Sequence, residues 1–106
     1  MASKVKRSKP FAADKYLDSD EAIAAYITEA LSTYDADMIA RAIGVAAKAR
    51  GMTDIARQTG LSRESLYKAL SGDGHPHFET INLVLKALGL RLRVEPLEDS
   101  GDKRAA

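Results

Sequence analysis

The stretch from Thr53 to Leu70, TDIARQTGLSRESLYKAL, constrains this chain more than any other. Its apolar residues Ile55, Ala56, Leu61, Leu66 and Leu70 can form one packed side, and Gly60 interrupts them midway. Glycine tolerates the left-handed backbone in which many helices end. Ser62 can then cap a second helix, because its hydroxyl accepts a hydrogen bond from an unpaired amide of the first turn. The segment therefore predicts two short helices joined by a tight turn. Ala56 is small enough to let the two approach closely. A pair of this shape is a helix-turn-helix unit, whose second helix enters the DNA major groove. An ordinary helical hairpin with a solvated polar face would read the same way, since short motifs give false positives.

The 106 residues suit one domain with modest tails, and 45% hydrophobic content is enough for a core. No apolar run approaches the ~20 residues needed to span a bilayer, and the basic N-terminus has no apolar run behind it. The expectation is a cytoplasmic protein with neither membrane span nor signal peptide. Cysteine is absent, which removes disulfides, thiolate catalysis and cysteine-based zinc sites.

Net charge is only +1, but the charges are segregated. Residues 1–11 carry Lys4, Lys6, Arg7 and Lys9 without an acid. Residues 12–40 carry seven acids against Lys15. Residues 41–70 carry six bases against Asp54 and Glu64, so the basic block coincides with the two-helix segment. Phosphate neutralisation would be needed there. Solvated helix faces produce such runs equally well, because charge patterning is a weak cue.

Along the chain we expect a flexible basic arm at 1–10, a helical domain at 11–96 and a flexible polar tail at 97–106. Phe11, Tyr16 and Leu17 are expected to pack back onto the domain. A first helix is expected over Ser19–Ser32, with the stripe Ile23, Tyr26, Ile27, Ala30 and Leu31, a cap at Ser19 and acids at Asp20 and Glu21. A second runs from Ala36 to Arg50, capped by Asp35, with Ile39, Ala42, Ile43 and Ala46 inward and Gly51 as its stop. After the helix pair, the loop 71–76 is rich in breakers. A fifth helix follows over Phe78–Leu88, with Phe78, Ile81, Leu85 and Leu88 on one face. Then Leu90, Leu92 and Val94 alternate with Arg91, Arg93 and Glu95, which predicts a short strand. A lone strand needs a partner from the N-terminal arm or a second subunit. The fold class is all-α, five helices with a short C-terminal strand.

If the pair reads DNA, Arg63, Glu64 and Lys68 are the base-edge candidates. Arginine suits guanine O6 and N7, and glutamate can accept from cytosine N4. Tyr67 can touch a thymine methyl or a phosphate. Ser62, Ser65 and Ser71 are phosphate donors, Arg57 and Arg50 are backbone contacts, and Thr53 belongs to the same DNA-binding set. His75 and His77 have no further histidine or cysteine to complete a metal site, so a loop role is favoured. No nucleophile elbow is present and the chain is short for a catalytic cleft. We expect no catalytic residue, no cofactor and no metal.

The segments Tyr16–Ser19, Glu21–Tyr26, Gly51–Thr53, Ile55–Arg57, Thr59–Leu70 and Leu83–Leu92 resemble the probable addiction-module antidote family. That is a HigA-type antitoxin group within the Xre-like, lambda-repressor-like helix-turn-helix proteins. The resemblance covers about residues 11–96; His75 and His77, flanking Pro76, depart from it. It implies an antitoxin that neutralises a RelE/HigB-like mRNA interferase toxin. It also implies binding to double-stranded operator DNA as a homodimer, autorepression of the operon, and base reading by Arg63, Glu64 and Lys68. Three alternatives remain: a stand-alone Xre-like regulator without a toxin, a protein-interaction module using the acidic block, and a small enzyme.

Overall fold

The computed structural model describes residues 17–98, so the basic arm, Phe11, Tyr16 and the tail after Glu98 lie outside the described residues. Five helices follow in order: α1 Asp20–Leu31, α2 Ala36–Arg50, α3 Met52–Thr59, α4 Arg63–Ala69 and α5 Phe78–Ala87. Local chemistry sets most of the starts. The Ser19 hydroxyl accepts from the Ala22 amide at 3.1 Å, and Asp20 and Glu21 follow at the positive end of the α1 dipole. Asp35 Oδ1 accepts from the amides of Asp37 and Met38 at 3.1 and 3.2 Å. The Ser62 hydroxyl accepts from the Ser65 amide at 3.0 Å. Between α3 and α4 the chain turns at Gly60, whose φ of 78° is left-handed. The Gly60 amide closes α3 on the Ala56 carbonyl at 2.9 Å.

α2 is the central element, packed against α1, α3, α4 and α5. Ile43 on α2 is buried, with Ala46 and Ala47 beside it, and these small side chains let neighbouring helices close in. Ile23 and Ile27 enter the core from α1, Ile55 from α3, Leu66 from α4 and Val84 and Leu85 from α5. Leu17 is buried as expected. No polar or charged described residue is buried. Each fully buried aliphatic side chain contributes about 1.5–3 kcal/mol. α4 has only seven residues, too few for a stable isolated helix, so Leu66 and Leu70 hold it through burial.

Two expectations are not met among the described residues. Phe78 is 68% exposed, because no element among the described residues covers the first turn of α5 on that side. The expected strand at 90–95 does not form among the described residues. Leu90 packs on the core and its amide donates to the Leu85 carbonyl at 2.8 Å. Beyond it no second strand is present among the described residues, and a single strand has nothing to pair with. Val94 and Leu97 stand out in solvent. Among the described residues no helix is long and apolar enough to cross a membrane.

Candidate nucleic-acid interface

α4 packs on α2 and α3 through Leu66 and Leu70, which leaves its opposite side open. That side carries Arg63, Glu64, Tyr67 and Lys68, all exposed. Arg63 and Tyr67 are one helical turn apart, and the Arg63 guanidinium lies 6.0 Å from the centre of the Tyr67 ring. That is the outer limit of a cation–π contact, and it holds a planar guanidinium beside an aromatic ring at the surface. Among the described residues Arg63 and Lys68 make no ion pair. Their charges are therefore free for a partner.

The serines have prior commitments. The Ser62 hydroxyl caps α4 and lies 3.0 Å from the Ser65 hydroxyl. Ser71 donates to the Lys68 carbonyl at 3.0 Å or to Asp73 Oδ1 at 2.8 Å, so its single proton is already engaged. Thr53 and Arg57 are exposed on α3. Arg57 pairs with Asp54 one turn before it; its side chain is 71% exposed, and such a pair contributes little enough for a phosphate to compete. Arg50 differs. It bonds Asp20 on α1 at 2.6 Å with its side chain only 34% exposed, so it acts as a brace between α1 and α2.

Two cations outside the sequence-based set face the same region. Arg41 and Lys48 on α2 line a cleft of about 280 Å³ with Tyr67 and Ser71. Their signal was present in the sequence as a spacing of two helical turns around Gly44, but only the packing of α4 on α2 shows which face they share. His75 and Pro76 instead line an apolar groove with α1, α2 and α5. No group of three or more His, Cys, Asp or Glu side chains that could hold a metal ion occurs among the described residues.

The model of the probable addiction module antidote protein family matches residues 7–96. A protein of Haemophilus influenzae described as uncharacterized is 46% identical over 87 residues, covering 82% of this chain and 90% of its own length. No solved structure is significantly similar to this chain. The chain belongs to the probable addiction-module antidote family, whose description is that of the antitoxin in a toxin–antitoxin pair.

Proposed function

We propose that this chain is a DNA-binding antitoxin that neutralises a RelE/HigB-like mRNA interferase and represses its own operon as a two-fold dimer. The observation that carries the reading is the open side of α4: Arg63, Glu64, Tyr67 and Lys68 are exposed, unneeded by the core and contiguous. α3 and α4 act as a helix-turn-helix unit, with α4 in the major groove. Arg63 reads guanine, Glu64 accepts from cytosine, and Lys68 reaches a base or phosphate farther along α4. Thr53, Arg57 and the serines at 62, 65 and 71 flank that face as backbone contacts. One helix of seven residues reads only a few base pairs, so a second copy extends the site. The exposed Val94 and Leu97, with Leu92 at the edge of the apolar groove, are the dimer surface in this reading.

The toxin is met on the other side of the charge division. Asp18, Glu21, Glu29 and Asp37 are exposed and make no ion pair among the described residues, whereas Asp20 is engaged by Arg50 and Asp35 by the α2 cap. Acids of this kind mainly accelerate encounter with a basic partner. The test is to co-express the chain with the product of an adjacent short, basic reading frame. Relief of growth arrest is expected. Neutralising the four free acids should slow association mainly at low salt, where charges are least screened. Arrest that persists beside folded antitoxin contradicts the toxin-neutralising part of the reading.

A further inference from the structure

We propose that the cleft between α2 and α4 is a phosphate clamp, with Arg41 and Lys48 gripping the DNA backbone beside the α4 reading face. The clamp rests on the DNA-binding reading above and adds two residues to it. Arg41, Gly44, Val45 and Lys48 follow one face of α2 at the spacing that stacks side chains on a helix. The face thus has a cation at each end, about 10 Å apart along the axis, and a glycine between them.

Gly44 is what brings α4 to this face. A Cβ there would stand 2.8 Å from the Leu70 carbonyl oxygen, inside contact distance with backbone that cannot step aside. The close approach places Tyr67 and Ser71 in the cleft with Arg41 and Lys48. Gly72 makes a second allowance. A Cβ on it would lie 2.5 Å from Arg41 Nη2, so the guanidinium is laid against the loop that leaves α4.

Among the described residues neither Arg41 nor Lys48 makes an ion pair, although Arg50 and Arg57 on the neighbouring surface each have a carboxylate. The acid beside the cleft, Asp73, accepts the Ser71 hydroxyl. The free donors are therefore the guanidinium, the ammonium and the Tyr67 phenol. That set suits a group that is anionic and only accepts, as a phosphodiester does. The position favours DNA over another anion, because Tyr67 belongs both to the cleft and, through Arg63, to the reading face. Neighbouring phosphates held here, one at each cation, would fix the register of α4 in the groove without reading a base.

The test follows binding of the full chain to its promoter duplex and to a scrambled duplex from low to high salt, for wild type and for Arg41→Gln/Lys48→Gln. Both side chains are exposed, and circular dichroism checks that the variant is folded. The double variant should weaken binding to both duplexes by the same factor. Its plot of log affinity against log salt should be shallower by about 2, since each lost phosphate contact removes about 0.9 from the slope. An unchanged slope with intact wild-type binding overturns the clamp and leaves the DNA reading standing. A wild type that binds neither duplex overturns both. Unchanged DNA binding with weakened toxin association gives the cleft to an acidic protein segment, which also overturns the proposal.

Discussion

Arg63 occupies the first position of α4, where the helix dipole favours an anion rather than a cation. The fold does not reward it there: the side chain is exposed and meets no carboxylate among the described residues. Its use is therefore sought outside the chain. Arg63→Ala should change the unfolding free energy by no more than the ordinary surface range, about 0.5 kcal/mol. The same change should weaken operator binding by roughly 1–3 kcal/mol and relax preference at one base position per half-site. Competition with single-base operator variants measures this. Equal loss on operator and random DNA would make Arg63 a backbone contact instead. Arg50 shows how placement changes a role that composition suggests. In the sequence it is one more cation of the basic block; in the fold, Asp20 holds it.

At the scale of elements, α4 depends on its start as much as on its packed side. Ser62→Ala removes the hydroxyl that accepts from the Ser65 amide and leaves that donor without its partner. The expected cost is about 0.5–2 kcal/mol, read as a lower denaturant midpoint with unchanged slope. An unchanged midpoint would show that burial of Leu66 and Leu70 alone sets this helix. Helix starts were legible in the sequence where their cause is local: Ser19, Asp35 and Ser62 each bond an amide within three residues. The link between α3 and α4 was legible for the same reason, through Gly60. Phe78 and the 90–95 segment were not legible, because their fate depends on what stands opposite. Periodicity put Phe78 in line with Ile81, Leu85 and Leu88, but cannot say that no described element covers the first turn of α5. Alternation at Leu90, Leu92 and Val94 marks a segment suited to pairing, and pairing requires a second strand. The exposed polar face of α4 followed from its own spacing, whereas Arg41 and Lys48 come beside it only through the close approach of Gly44 to Leu70.

Among the described elements, α1 and α4 carry exposed charge of opposite net sign. Among the exposed charges that make no ion pair between described residues, Asp18, Glu21, Glu29 and Asp37 lie on and around α1 and at the start of α2, whereas Arg41, Lys48, Arg63 and Lys68 lie along α2 and on α4, with Glu64 beside them. In the proposed function this division serves a basic protein on one side and DNA on the other, with α2 as the shared support. The central claim is that the α4 side is a sequence-reading DNA surface. The most direct measurement is a titration of labelled promoter duplex against a scrambled duplex of equal length and composition, with the bound stoichiometry determined by sedimentation. The account predicts two chains on each promoter site and a steep loss of affinity with salt. It also predicts a preference for the promoter on the order of 10³ or more. Equal affinity for the two duplexes, or binding that salt does not weaken, would contradict it.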